Sequence, residues 1–259
     1  MPEYQLPISG LRVIVRQPTG VEDLLLQEAR DLDLVLAFQL FDCLVRAPHD
    51  ATANWSELAV TDLEALLLLL RRATLGDSIR AEANCAAVGC EARVDVSFHV
   101  DEYLASQKPR IPRGVEKING DGSYRLAGDP VTFRLPNGGD LVAINRQADG
   151  EQELIRRCVQ PANVRARVRQ RIDHAMQALA PRLSRMLTGE CPECHATMNF
   201  YFDVHQFVLR ELRDHAATVY DDVHLLAFYY KWPEEDILAL PRSRRAHYAE
   251  ALRGQGSAA

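Results

Sequence analysis

Apolar and polar positions at the start of the chain alternate in the way that a strand requires. Within residues 11–16, Val13 and Val15 share one face, and Pro18 marks the end of this predicted strand. Residues 34–47 form a longer, almost continuous apolar segment. Because such a segment has no polar face to present to water, we expect it to lie in the hydrophobic core.

Capping-box patterns, in which a Thr is followed three residues later by a Glu, predict the starts of two helices. They occur at Thr19 with Glu22 and at Thr61 with Glu64. We expect the first helix to cover residues 20–30. The second should run through the leucine-rich segment and end at Gly76, a residue type that favours helix ends.

A helical period of three and four residues dominates the later part of the chain. The apolar positions that repeat in this way are Val168, Ile172, Met176, Leu179 and Leu183. They predict a long helix over residues 164–187, with Pro181 as a kink or a break. Residues 217–232 then have the pattern of an amphipathic helix, and Pro241 predicts the start of a last helix.

Two pairs of stretches resemble each other along the chain, which predicts an internal duplication. Residues 130–141 repeat the pattern of residues 11–24. The matched residues are Arg16 with Arg134, Pro18 with Pro136, Thr19 with Asn137 and Gly20 with Gly138. Cys158 lies in the second copy about where Cys43 lies in the first.

The second repeated pair carries four of the six cysteines. Cys85 and Cys90 form a C-x4-C pair, and Cys191 and Cys194 form a C-x2-C pair. When Cys90 is placed on Cys194 without a gap, the following apolar positions also agree. They are Val94 with Met198, Val96 with Phe200, Phe98 with Phe202, Val100 with Val204 and Tyr103 with Phe207.

Two cysteine pairs on two tight turns are a common ligand set for tetrahedral zinc. Because four thiolates leave no position for water or substrate, we predict a structural zinc held by Cys85, Cys90, Cys191 and Cys194. Iron–sulfur ligation by the same residues, or two unrelated cysteine pairs in the core, are the alternatives. His195 is either a replacement ligand or a solvated neighbour.

These patterns together predict an α+β fold. Its internally duplicated halves, each a strand, helices and a zinc knuckle, are joined by a zinc-ribbon-like site of four cysteines and followed by a helical tail. The predicted boundaries are 1–104 for the first half, 105–130 for a connecting loop, 131–212 for the second half and 213–253 for the tail. The loop is rich in Pro, Gly and charge, and a hairpin is expected at Asn119-Gly120.

The composition of the 259 residues, 47% apolar and 25% charged, is typical of a soluble globular protein. A formal net charge of −6 disfavours nonspecific binding to nucleic acid or acidic lipid. The start of the sequence has no signal-peptide pattern and its apolar runs are too short to span a bilayer, so we expect a cytoplasmic location. No catalytic motif is found, which predicts a protein that is not an enzyme.

Aromatic and basic side chains occur together in the tail, a combination typical of protein interfaces. The predicted partner-binding residues are Trp232, Ile237, Leu240, Arg244, Arg245 and Tyr248. Packing of these residues on the body of the protein is the alternative. The arginines of residues 165–171 point in several directions on a helix, so a solvated face is expected there rather than a phosphate-binding stripe.

The tail and the opening also resemble a known family. Residues 223–252 read VHLLAFYYKWPEEDILALPRSRRAHYAEAL and residues 16–29 read RQPTGVEDLLLQEA, and both resemble the phage T4-type baseplate hub assembly chaperone family. The motif positions are Leu226, Ala227, Trp232, Asp236, Ile237, Leu238, Leu240, Pro241, Arg244, Arg245 and Tyr248. The resemblance implies a non-enzymatic assembly factor or minor structural component of the baseplate or hub of a phage or phage-tail-like contractile injection system.

The implied partners are baseplate, hub or spike proteins of a contractile tail. No membrane partner is expected, and the net charge disfavours nucleic acid. The alternative function is a zinc-ribbon nucleic-acid-binding regulatory protein that uses the arginines of residues 165–171. Salt separates the two functions, because phosphate contacts weaken steeply as the salt concentration rises and an apolar interface does not.

Overall fold

The computed structural model describes residues 3–47, 53–118, 122–145 and 147–256. The first half contains, in chain order, β1 (Glu3–Gln5), β2 (Arg12–Val15), α1 (Gly20–Glu28), α2 (Leu34–Leu44), β3 (Val45–Arg46), a 3-10 helix (Trp55–Glu57), α3 (Val60–Leu75), β4 (Ser78–Asn84), β5 (Arg93–His99) and α4 (Val100–Ser106). Strands β1, β2 and β3 form an antiparallel sheet with β2 in the centre. Strands β4 and β5 form a separate hairpin.

The part of the chain from Val115 to His215 has, from its capped helix at Gly138 onward, the same order of helices and strands as the part from Gly20 to Ser106, apart from the 3-10 helix. It contains β6 (Val115–Lys117), β7 (Ser123–Leu126), β8 (Thr132–Arg134), α5 (Gly138–Ile144), α6 (Gly150–Cys158), β9 (Val159–Gln160), α7 (Ala166–Leu179), β10 (Arg185–Glu190), β11 (Thr197–Phe202) and α8 (Val204–His215). The tail contains α9 (Val219–Tyr230), α10 (Glu234–Leu238) and α11 (Arg242–Gly256). The chain is therefore a mixed α/β protein.

The segment 105–130, expected to be a connecting loop, contributes two strands to a sheet. Strands β6, β7, β8 and β9 pair in this order in one antiparallel sheet. Val115, Tyr124 and Leu126 are buried in a second, smaller core against Phe133 of β8. The alternation of apolar and polar residues in these two short strands is difficult to recognise in the sequence, because Pro, Gly and charged residues surround it. The predicted turn at Asn119-Gly120 lies outside the described residues.

Helix α3 lies in the middle of the larger core. Its residues from Val60 to Arg71 are all buried. The core residues that come from the helices α2 and α8 include Leu36, Leu40, Phe41, Val208 and Leu209. Because α3 is buried on all sides, other parts of the chain must pack against every face of it. In the described part of the chain, no helix combines the length and apolar character needed to span a bilayer.

The predicted capping box at Thr61 and Glu64 is wrong. Helix α3 begins two residues earlier than a cap at Thr61 requires, directly after Ala59, and no side chain caps it. The Thr61 hydroxyl donates to the carbonyl oxygen of Pro181 at 3.0 Å, and a Glu64 carboxylate oxygen accepts from the Leu183 N–H at 2.7 Å. Both side chains are buried, so they hold the segment between α7 and β10 instead of capping their own helix.

Two further buried polar side chains of α3 hold other parts of the chain. Asp62 accepts from the N–H groups of Ile8 and Ser9, both at 2.8 Å. Burial raises the pKa of Asp62, although the hydrogen bonds from Ser9 and Ile8 oppose this. Arg71 donates to both carboxylate oxygens of Glu211 on α8 at 2.8 Å. Helix α3 therefore holds the turn at Ile8 and Ser9, and also α8, through polar contacts inside an apolar core.

The long helix predicted over residues 164–187 is shorter than expected. Helix α7 ends at Leu179, and residues 185–190 form β10. The alternative of a break at Pro181 is the one that the structure adopts, because proline lacks the N–H that continues a helix. Leu183, which completes the apolar stripe in the sequence, is buried in the larger core, whereas Ile172 and Leu179 are buried in the smaller one.

The two sequence stretches around Thr19 and Asn137 have the same local structure, and we call residues 16–23 the first capping turn and residues 134–141 the second. Both have complete capping boxes, formed by Thr19 with Glu22 and by Asn137 with Asp140. A preceding arginine binds the acidic residue in each turn: Arg16 donates to Glu22 at 2.5 Å and Arg134 donates to Asp140 at 2.5 Å.

The C-terminal tail docks on the first capping turn through buried charges. Arg242 and Arg245 both donate to the Asp23 carboxylate. Arg245 also lies 3.3 Å from Asp222, which accepts from Arg253 at 2.7 Å. The side chains of Asp23, Asp222 and Arg245 are at most 1% exposed. Because a lone buried charge is costly, these contacts fix where the tail lies.

Replacing Asp140 with Asn should lower the free energy of unfolding by about 2–3 kcal/mol, because Arg134 and Arg157 lose their charged acceptor. Both arginines keep about a third of their surface exposed, so solvent screens part of the loss. Urea denaturation measures this change. The matched control is Glu151→Gln, which removes an exposed ion pair with Arg169 and should change stability by less than about 0.5 kcal/mol.

The same aspartate should make stability depend on pH. Burial raises the pKa of Asp140, but the hydrogen bonds from Arg134, Asn137 and Arg157 lower it well below the usual range. A carboxyl whose pKa is lowered on folding stabilises the fold above its unfolded pKa of about 4, and this contribution disappears as the pH falls through the folded-state pKa. Wild type should therefore lose stability below about pH 4 more steeply than Asp140→Asn; parallel curves for the two proteins would contradict this.

Candidate metal centre

Each of the two hairpins ends in one of the cysteine pairs. In the first, β4 and β5 pair from Ser78 with His99 up to Asn84 with Arg93, and the turn beyond contains Cys85 and Cys90. In the second, β10 and β11 pair up to Glu190 with Thr197, and the turn beyond contains Cys191 and Cys194. The hairpins flank a cleft of about 420 Å³.

The two turns fold similarly at the hydrogen-bond level. The N–H of Cys85 donates to the carbonyl oxygen of Ala92 at 2.9 Å, and the N–H of Cys191 donates to that of Ala196 at 3.0 Å. Each turn also contains a residue with a left-handed backbone, Gly89 with φ 80° and His195 with φ 60°. Histidine adopts this conformation more readily than most residues with a side chain. These turns let both cysteines of a pair face the same side.

The four sulfur atoms have the spacing that a tetrahedral metal ion requires. All four lie within 4.8 Å of one another. Cys85 Sγ lies 3.6 Å from Cys194 Sγ, and Cys90 Sγ lies 3.9 Å from Cys191 Sγ. A tetrahedron with zinc–sulfur bonds of about 2.3 Å has sulfur–sulfur edges of about 3.8 Å. All four cysteines are free, and these distances are far beyond a disulfide bond of about 2.05 Å.

The surroundings of the thiols also suit a cation. Hydrogen bonds from the backbone of Cys194 and Glu193 lower the pKa of the Cys191 thiol to about 7. The backbone of Ala92 lowers the pKa of Cys90, but the neighbouring Cys194 and burial oppose this and raise it to about 12. Adjacent thiolates repel each other, and a cation among them removes this repulsion. Metal binding should therefore release protons from the cluster.

Aromatic side chains join the two hairpins at the ends opposite to the cysteines. Phe98 and Phe202 meet edge to face with ring centres 5.3 Å apart. Tyr103 lies 5.1 Å from Phe98, and Phe207 lies 5.3 Å from Phe202. The sequence matches Phe98 with Phe202 and Tyr103 with Phe207 across the halves, but it does not reveal that the four rings touch. The hairpins thus contact each other through these rings at one end, and their four cysteines meet at the other.

His195 lies outside the sulfur cluster. It is exposed, and its Nδ1 atom lies 2.8 Å from a carboxylate oxygen of Glu190. Among the described residues, the cluster of potential metal ligands consists of the four cysteines. The structure therefore corresponds to the solvated-neighbour interpretation of His195.

The structure places the six predicted partner-binding residues in different environments. Ile237 and Arg245 are buried within the chain, so they face no partner in this conformation. The Trp232 ring stacks on Tyr230 and meets Tyr248 edge to face. Arg244 is exposed, and Leu240 is half-buried. A role in partner binding stays a prediction for the residues at the surface.

The fold and the cysteine cluster define a mixed α/β protein with a centre suited to a metal ion. The family model for the T4 bacteriophage base plate protein matches residues 1–166, and the chain belongs to this family. This membership supports a structural or assembly role related to a phage baseplate. No curated protein and no solved structure matches the chain. The matched residues include the first cysteine pair and both capping turns, and they end before the second cysteine pair.

Replacing Cys191 and Cys194 with Ser should abolish stoichiometric metal binding and leave the protein sensitive to protease, because both ligands on one hairpin are lost. Metal per chain is measured by inductively coupled plasma mass spectrometry, which also distinguishes zinc from iron. The control is Cys43→Ser, a half-buried cysteine outside the cluster, which should keep its metal. Full metal retention in the double variant would contradict the prediction that all four cysteines bind the metal ion.

Proposed function

We propose that this protein is a non-enzymatic assembly factor, or a minor structural component, of the baseplate or hub of a phage or phage-tail-like contractile injection system. Family membership over residues 1–166 carries the proposal. In this function it acts in the cytoplasm, carries a structural zinc and binds baseplate, hub or spike proteins. Neither a membrane nor nucleic acid is among the proposed partners.

The four-thiol cluster supports a structural role for the proposed zinc. Four protein ligands leave no open position at which a substrate could bind. A metal ion that joined Cys90 and Cys191, whose sulfur atoms lie 3.9 Å apart, would close 101 residues of chain. A cross-link around a loop of about 100 residues destabilises the unfolded chain by about 4–5 kcal/mol in the chain-entropy model. The ion would thereby join the hairpins into one zinc-ribbon-like unit.

The common order of elements supports an internal duplication as the origin of the two halves. The capping turns have corresponding arginine–carboxylate contacts, and each half ends in a cysteine hairpin followed by a helix. We propose residues 1–104 and 131–212 as the duplicated halves and residues 213–253 as an added tail. Strands β6 and β7, within residues 105–130, would then be an extension of the sheet in the second half.

Exposed aromatic residues on α9 support the tail as the surface that binds the partner. Phe228 and Tyr229 are 61% and 59% exposed. The ammonium group of Lys231 lies 4.8 Å from the centre of the Phe228 ring. Large aromatic side chains next to basic ones often dominate the binding energy of protein interfaces. This surface adjoins the stacked rings of Tyr230 and Trp232.

Affinity capture of the tagged protein from its native cells tests the function. Baseplate, hub or spike proteins, identified by mass spectrometry, should remain bound through a high-salt wash. Replacing Phe228 and Tyr229 with Ser should remove these partners. The matched control is Tyr201→Ser, which changes a ring of similar exposure on β11 and should keep them.

The nucleic-acid alternative has a different outcome in the same experiment. Nucleic acid retained at low salt and lost at high salt, without tail proteins, would refute the assembly function. The structure offers limited support for it, because Arg169 and Arg171 form ion pairs with Glu151 and Asp129. Such pairing reduces the positive charge available to phosphates.

A further inference from the structure

Four helices of this protein, α3, α7, α10 and α11, begin in a similar way. The residues that precede α3 and α7, Ala59 and Arg165, have nearly identical dihedral angles, φ −56° and ψ 146° against φ −62° and ψ 147°. Neither helix has a side-chain cap. Helix α11 follows Pro241, whose carbonyl oxygen accepts from the N–H four residues later, as those of Ala59 and Arg165 do. Uncapped starts leave N–H groups that need acceptors elsewhere.

Two of these starts are docked on the capping turns by the same backbone contact. The first N–H of α3, from Val60, donates to the carbonyl oxygen of Pro136 at 3.1 Å. The first N–H of α11, from Arg242, donates to that of Pro18 at 3.2 Å. Bridges pair Ala59 with Asn137 and Pro241 with Thr19. The second capping turn thus holds α3, and the first holds α11.

The side chains show that both helices dock in the same register. A Cβ atom added at Gly138 would lie 2.7 Å from both Leu63 and Phe38, and one added at Gly20 would lie 2.7 Å from Leu238 and 2.8 Å from the Arg245 guanidinium. Leu63 and Arg245 are both the fourth residue of their helix. Each turn therefore needs glycine at this position, because the fourth residue of the docked helix occupies the space together with Leu238 at Gly20 and Phe38 at Gly138.

The two turns differ in the charge that they present to that fourth residue. Asp23 is the fourth residue of α1, the helix that begins in the first turn, and it binds Arg245, the fourth residue of the docked helix α11. The corresponding residue of the second turn is Leu141, and there the docked helix offers Leu63. The first turn is thus built for a helix start with arginine at the fourth position, and the second for one with leucine.

The start of α7 is not docked. Asn163, Arg165 and Ala166 are exposed, and the first N–H of α7, from Ala166, has no acceptor in the described ranges. The fourth residue of α7 is Arg169, the residue type that the first turn accepts. Its contact with Glu151 is a surface ion pair, which is easily exchanged.

We propose that the start of α7 docks on the first capping turn of a second copy of this chain, with Arg169 on Asp23, once the tail of that copy has left the turn. Attached to the same chain, the tail has a local concentration on the order of millimolar and so competes strongly with a second copy. The tail therefore inhibits self-association, because it occupies the first capping turn of its own chain. Because α7 and the first turn are different surfaces, the contact is head to tail and can extend into a ring or an open chain.

The test uses a charge exchange in a background with a weakened tail. The variant R242A/R245A removes the two guanidinium groups that bind Asp23, and should associate at least tenfold more tightly than wild type in sedimentation equilibrium. Adding R169D should return it to monomer, since two carboxylates then face each other. Adding D23R to that triple variant should restore association. The matched control is R167D, which changes an exposed arginine two residues away and should leave association unchanged.

Two outcomes would overturn the proposal. R242A/R245A could remain monomeric at every concentration, or it could associate equally with and without R169D, as aggregation through exposed apolar surface would. If the weakened-tail variants do not fold, wild-type protein supplies the measurement by amide hydrogen exchange. As wild type is concentrated, exchange at Ala166 should slow and exchange at Arg242 should accelerate, and unchanged rates at both would also refute docking.

Discussion

Buried charges that need partners determine how the separate parts of this protein are joined. Asp23 and Asp222 bind arginines of α11 and so bring this helix to the first capping turn. Asp140 of the second capping turn binds Arg134 and Arg157. Arg71 of α3 joins this helix to α8 through its ion pair with Glu211. Apolar packing alone would allow several arrangements of similar area. A buried carboxylate is satisfied only where a donor reaches it, so these contacts make one arrangement much more stable than the others.

The cysteine centre adds a connection of another kind, between hairpins that belong to different halves. At one end, four sulfur atoms lie within 4.8 Å of one another, and at the other end the rings of Phe98 and Phe202 touch. A two-stranded hairpin is at best marginally stable alone. The hairpins therefore rely on contacts at both ends, and the family membership of residues 1–166 covers one of them completely and the other not at all.

Features of the sequence that depend on neighbouring residues could mostly be predicted, and most of those that depend on distant residues could not; the meeting of the two cysteine pairs is the exception, because their residue type and spacing indicate a shared metal site. Capping at Thr19, the strand before it and the cysteine pairs all follow from spacings of a few residues. Thr61 and Glu64 have the same local spacing as a capping box, but their partners lie about 120 residues away in the segment before β10. Likewise, nothing local shows that Asp23 is buried, because its arginines follow it by more than 200 residues.

If the four cysteines hold the proposed metal ion, the double attachment of the hairpins has a mechanical consequence. Two ribbons fixed to each other at base and tip form a closed frame, and a sideways load at the tip stretches one ribbon while it compresses the other. A single ribbon would bend under the same load. Helix α8 follows β11 directly and is bound to α3 through Arg71 and Glu211. A force applied at the cysteine end would therefore reach the centre of the larger core with little loss to bending.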